Sequence, residues 1–137
     1  MSVGTLQKIL YVEDDADIRK IVGMSLEMVG EYTVAACESC ADALQVVDDF
    51  APDLLLLDVM MPEVDGPSTL RQLRKRKSAT NAPAVFITAK VQAGDMARYR
   101  KLGVLDVIVK PFDPMALSDR VGEIWQQYRS GDHDDAG

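Results

Sequence analysis

Short apolar runs alternate with segments of helical period from one end of the chain to the other, and this alternation narrows the fold more than any other feature. The runs are ILYV at 9–12, YTVAA at 32–36, LLLL at 54–57, AVFIT at 84–88 and VIV at 107–109. Several are apolar nearly throughout, as strands covered on both faces should be. Between them, Ile18, Ile21, Val22, Leu26 and Val29 recur at helical spacing after Asp15 and Asp17, with Gly30 as a stop signal. Ser39 followed by Asp42 starts a second helix carrying Ala43, Leu44, Val47 and Phe50, which Pro52 ends. Gly66-Pro67 opens a third with Leu70 and Leu73 inward, and Met96, Tyr99 and Leu102 mark a weaker fourth closed by Gly103. Asp113-Pro114 caps a fifth, whose Leu117, Val121, Ile124, Trp125 and Tyr128 form one broad stripe ending near Ser130. Strand and helix in strict alternation predict an α/β, three-layer (βα)5 fold with a parallel five-stranded sheet.

With 137 residues and 47% hydrophobic content the chain suits one domain, 1–130, and a second catalytic or DNA-binding domain does not fit. Residues 131–137, acidic and without apolar anchors, are expected to form a mobile acidic tail. Fifteen basic against 22 acidic residues give a net charge of -7, which repels nucleic acid and anionic membranes. The expectation is therefore no direct DNA binding and no membrane partner. No apolar stretch approaches the roughly 20 residues that span a bilayer, so the chain reads as cytoplasmic.

In open α/β sheets the chemistry lies beyond the carboxyl ends of the strands. The first strand runs out into Glu13, Asp14 and Asp15, the third into Asp58, the fourth into Thr88 and the fifth into Lys110 and Pro111. Carboxylates aimed at one crevice repel each other, and a hard cation relieves that cost; oxygen ligands with open positions suit Mg²⁺. A hydroxyl at Thr88, an ammonium at Lys110 and a metal would surround Asp58 as they surround a phosphoryl group in transfer, which makes Asp58 the candidate nucleophile. Taken singly, a strand-terminal Asp is an ordinary cap or turn former, and Thr88 or Lys110 an ordinary loop residue. Their joint occurrence at four strand ends favours the chemical reading.

The segments ILYVEDDADIRKIV, DLLLLDVMMPEVDG, VFITAK and VIVKPF, in that order, resemble the receiver domain of two-component response regulators, a likeness covering residues 6–128. The resemblance implies a flavodoxin-like sheet of order 2-1-3-4-5. It matches the acidic pair to Glu13 and Asp14, the phospho-acceptor to Asp58, the switch hydroxyl to Thr88 and the lysine to Lys110. Mg²⁺ would be held by the Asp14 and Asp58 carboxylates and the Met60 main-chain carbonyl, with Glu13 acting through water, and Pro111 would follow a cis peptide. The implied partners are a sensor histidine kinase or histidine phosphotransfer protein upstream and a protein target downstream. The face formed by the fourth helix, fifth strand and fifth helix would meet that target, and a phosphorylation-dependent homodimer is compatible with it. Such a domain is not an enzyme in the usual sense, since it catalyses only its own phosphorylation and dephosphorylation. The chain would act as a stand-alone regulator or a relay intermediate.

Two positions depart from or refine that pattern. Val107 stands where many receivers carry an aromatic residue, so output is expected to depend on Thr88 and the loop after the fourth strand. Met60 and Lys90, two places after Asp58 and Thr88, are poor groups for orienting a water, which predicts slow self-dephosphorylation. An Asp-nucleophile phosphatase would need an acid where Met60 stands, and a partner-binding pseudo-receiver would show a broken pocket.

Other signals read as structural. Cys37 and Cys40 form a C-x-x-C whose neighbours Glu38 and Asp42 should raise the thiol pKa, against a redox role, and the one histidine, His133, lies in the tail. The basic run Arg71, Arg74, Lys75, Arg76, Lys77 reads as a solvated helix face, and the methionines as gap-filling side chains.

Overall fold

The computed structural model describes residues 4–130. The elements are β1 Lys8–Val12, α1 Ala16–Met28, β2 Thr33–Cys37, α2 Cys40–Phe50, β3 Leu54–Asp58, α3 Gly66–Leu73, a 3-10 turn Lys77–Ala79, β4 Ala84–Thr88, α4 Asp95–Lys101, β5 Val104–Val109 and α5 Pro114–Arg129. All strand pairs are parallel and the order is β2-β1-β3-β4-β5, the flavodoxin-like arrangement expected. The expected tail, residues 131–137, lies outside the described residues.

Period-two alternation divides the sheet into two cores. Ile9, Tyr11, Leu54, Leu56, Val85, Ile87 and Ile108 face Val22 and Leu26 of α1 and Leu117, Val121, Ile124 and Trp125 of α5. Leu10, Val12, Leu55, Leu57, Phe86 and Val107 face Ala43 and Val47 of α2, Leu70 and Leu73 of α3, and Tyr99 of α4. The central strands β3 and β4 are buried at every residue. Each large apolar side chain so buried contributes about 1.5–3 kcal/mol.

Helix starts follow the expected caps. Asp15 accepts from the Asp17 and Ile18 amides at 2.9 and 3.1 Å, Ser39 from Asp42 at 3.2 Å, and Asp113 from Met115 at 2.9 Å. Asp65, one residue before the expected opener of α3, caps it through the Ser68 amide at 2.9 Å. Gly94 and Gly103 bracket α4 with φ of 87° and 82°, where only glycine is unstrained.

Several expectations are corrected. The second strand starts one residue later than expected, because Tyr32 packs against the α1/α5 core instead of joining the ladder. The fifth begins at Val104 rather than at 107, because Asp106, which breaks the apolar pattern, is paired with Arg120 at 2.6 Å. Ile21 of α1 and Val29, the residue after it ends, do not face the core but are exposed. Met24, Met28, Met60 and Met115 are exposed too, so those methionines fill no gaps. In the basic run, Arg76 pairs with Asp48 at 2.6 Å. Arg74 is no solvated residue either: its guanidinium donates to the carbonyls of Leu102, Ala82 (3.1 Å) and Gly103 (3.5 Å).

Candidate functional site

Parallel register carries the chemistry to one edge of the sheet. Val12 pairs with Leu57, so the next residues, Glu13 and Asp58, emerge side by side at the carboxyl ends of β1 and β3. Thr88 pairs with Val109 across β4 and β5, and the Lys110 amide donates to the Thr88 carbonyl at 2.8 Å, which sets Lys110 at the same edge.

Glu13 and Asp58 are 1% and 2% exposed, whereas Asp14, the next residue along, is exposed. One carboxylate oxygen from each of these three residues lies within 4.8 Å of the others. Lys110 Nζ bridges the buried pair, at 3.3 Å from Glu13 Oε1 and 3.4 Å from Asp58 Oδ2. The other Glu13 oxygen accepts from the Asp15 amide at 3.1 Å, while Arg19 donates to the Glu13 carbonyl at 2.8 Å.

Two buried carboxylates beside one ammonium leave negative charge uncompensated, and the titration of Glu13 reflects it. Burial pushes its carboxyl up to about 7, with the Asp15 amide opposing and the neighbouring Asp58 adding to the rise. Burial alone would lower Lys110, but the Asp58 and Glu13 carboxylates more than reverse that and hold it above its usual value. All the donors are hard oxygens, a set that fits Mg²⁺ or a similar cation and no soft metal.

Thr88 is buried at the end of β4, yet among the described residues it makes no hydrogen bond to Asp58. Its hydroxyl donates to the Lys90 carbonyl at 3.2 Å and accepts from the Lys90 amide at 3.4 Å. Met60 follows Asp58 by two residues and is 72% exposed. Met60, Thr88 and Lys90 line one cavity of about 400 Å³. The Lys110–Pro111 peptide is cis.

Sequence reasoning missed Gly66 as part of the site. A Cβ there would lie 2.6 Å from the Asp58 carbonyl oxygen and 2.8 Å from Val59 Cα, so only glycine lets α3 start against the strand that carries Asp58. Its sequence signal was a glycine at a first helical position, where a better helix former is expected. Cys37 and Cys40 are buried free thiols; the Cys37 carbonyl accepts from the Glu13 amide at 3.0 Å, but burial with the Asp42 carboxylate pushes the Cys37 thiol up to about 11, a poor nucleophile.

Comparison with known proteins agrees with the geometry. Residues 9–122 match the model of the response regulator receiver domain. A probable transcriptional regulator, ycf27 of Guillardia theta, is 36% identical over 88% of this chain and 46% of its own length. The phosphate regulon transcriptional regulatory protein PhoB of Pseudomonas aeruginosa is 34% identical over 90% of this chain and 54% of its own. The chain thus spans about half the length of the curated relatives it matches. Among solved structures, the non-phosphorylated HemR receiver domain of Leptospira biflexa superposes with a TM-score of 0.75 at 27% identity, covering 86% of this chain and 93% of that one. The Vibrio cholerae chemotaxis protein CheY4 shares the fold, with a TM-score of 0.79 at 24% identity, covering 88% and 99%.

These relatives correct one expectation. The negative charge points to no direct DNA binding, but relatives similar over most of this chain are transcriptional regulators. The physical reason is one of scope: a net charge of -7 describes the field of these residues alone, while about half of each relative lies beyond what they match. Among the described residues no helix is long and apolar enough to cross a membrane. With the strand order, the acidic edge bridged by Lys110 and the match over residues 9–122 all in agreement, this chain belongs to the response regulator receiver domain family.

Proposed function

We propose that Asp58 accepts a phosphoryl group from a phosphohistidine donor in a Mg²⁺-dependent reaction, and that the α4–β5–α5 face then changes its affinity for a protein target. One observation carries the reading: the buried Asp58 carboxylate shares Lys110 with a second buried carboxylate and lies within reach of an exposed third. Asp14 and Asp58 would hold the ion with the Met60 main-chain oxygen, and Glu13 through water. When bound, Mg²⁺ neutralises charge on the phosphoryl oxygens.

The chain's own groups do the rest. An Asp58 oxygen forms the new O–P bond as the P–N bond to the donor imidazole breaks, and the imidazole leaves with the electron pair of that bond. Lys110, already 3.4 Å from Asp58, pairs with a phosphoryl oxygen. Thr88 has to give up its bonds to Lys90 before its hydroxyl serves the new group, and that exchange couples the pocket to the loop leading into α4. An apolar groove of about 390 Å³, walled by Ile18, Ile21, Phe112 and Pro114, opens beside Lys110 and offers a protein-borne donor a surface to rest on.

Incubation with acetyl phosphate and Mg²⁺ should add one phosphoryl mass to the wild type and none to Asp58→Asn, read by intact-mass spectrometry; equal addition to both sinks the assignment. Loss of the group should be slow. Neither Met60 nor Lys90 offers a base to an attacking water, so Met60→Asn with Lys90→Glu should shorten the phosphoprotein half-life, and an unchanged half-life counts against this.

A further inference from the structure

Tyr11 lies in β1 with no exposed surface, and its buried hydroxyl has no hydrogen-bond partner among the described residues. Leaving a buried donor unpaired destabilises the fold, a cost that a phenylalanine in the same slot would avoid. Buried polar groups left unpaired in a native structure call for a reason, and catalytic roles are among the common ones.

Its position supplies one. Strand alternation puts Tyr11 on the same face as Glu13, and the register pairs it with Leu56, two residues before Asp58. Tyr11 therefore occupies the layer directly beneath the Glu13 and Asp58 row, about 6–7 Å back along the strands. A phenol hydroxyl carries one proton to donate, and at this position the carboxylates of Glu13 and Asp58 are the acceptors of the layer above it. The N–H bonds that reach the Glu13 carboxylate come from Asp15 and Lys110. Lys110 is the one that a phosphoryl group on Asp58 would draw away.

We propose that Tyr11 is a positioning residue whose hydroxyl donates to the Glu13 carboxylate when the pocket is loaded, replacing Lys110 and holding the acidic pair in its binding geometry. The inference rests on the phospho-acceptor reading of Asp58. It involves no covalent step and no net proton transfer, only the making of one hydrogen bond.

Tyr11→Phe removes the oxygen and keeps the ring. Three measurements test it: affinity for beryllofluoride with Mg²⁺ by calorimetry, thermal unfolding in EDTA, and the ¹³Cζ resonance of Tyr11 in wild-type protein labelled at tyrosine. Beryllofluoride affinity should fall about tenfold in Tyr11→Phe, as it does when an outer-shell partner is lost. The EDTA melting temperature should hold or rise, and the Tyr11 resonance should shift on loading. A merely structural hydroxyl would leave both affinity and resonance unmoved, and that result overturns the inference. Asp58→Asn separates the two readings. If it binds beryllofluoride like the wild type, the phospho-acceptor reading falls and takes this one with it; if it loses binding while Tyr11→Phe does not, this inference alone falls.

Discussion

Burial lifts the Glu13 carboxyl to about 7 against the Asp15 amide, and Asp58 beside it adds to the effect. A carboxyl whose folded-state pKa lies above its unfolded value binds its proton more tightly when folded. Its contribution to stability is therefore full below about pH 4.5 and is lost as pH rises to about 7. In EDTA at pH 7.5, Glu13→Gln should be more stable than the wild type by on the order of 1–3 kcal/mol, and the gap should close at pH 5. Urea unfolding at the two pH values checks this; a variant less stable at pH 7.5 would mean that the bond to Lys110 outweighs the cost of burying the charge. Glu13, Asp14, Asp58 and Lys110 were legible in the sequence because strand ends in a parallel sheet converge on one edge. The unpaired Tyr11 hydroxyl was not. An apolar run gives no sign of which member carries a buried polar atom or which carboxylates lie above it.

At the scale of elements, periodicity found every strand and helix but misjudged faces and ends. The α1 stripe was drawn too wide: Val22 and Leu26 reach the core, while Ile21 is exposed beside the groove at Lys110. Apolar spacing alone does not distinguish a core face from an apolar surface. The apolar run at 107–109 covers only the second half of β5; the first half contains Asp106, and only the fold supplies Arg120 as its partner. The junction of β3 and α3 shows the opposite case, a residue typed correctly as a helix opener whose main constraint comes from the neighbouring strand. Gly66→Ala would put a methyl group 2.6 Å from the Asp58 carbonyl, against backbone that has little freedom to move. The expected loss is about 1–3 kcal/mol in urea unfolding, together with weaker Mg²⁺ binding because the carrier of Asp58 must shift. Unchanged stability with unchanged metal affinity would show that the junction opens freely.

For the whole molecule, stability and chemistry are assembled at opposite ends of one sheet. The acidic pocket occupies the carboxyl ends of the strands, whereas Arg74 works at the amino ends. Its guanidinium binds the carbonyl of Ala82 ahead of β4 and those of Leu102 and Gly103 ahead of β5, tying α3 to both. Burial lowers the pKa of that guanidinium, yet it remains charged throughout the ordinary range and makes no ion pair among the described residues. Reading the run from 71 to 77 as a uniform solvated face failed because the carbonyls it meets lie eight to 29 residues away in sequence. Arg74→Met keeps much of the aliphatic volume and strands those carbonyls, so it should cost about 2 kcal/mol of unfolding free energy. A five-residue strand separates this clamp from the pocket by about 16 Å, a distance at which independent sites do not couple. Mg²⁺ affinity in Arg74→Met should therefore stay within about twofold of wild type, measured by calorimetry on protein shown to be folded at that temperature. A tenfold loss of affinity would mean instead that α3 and the sheet transmit strain from the clamp to Asp58, with Gly66 as the contact through which it passes.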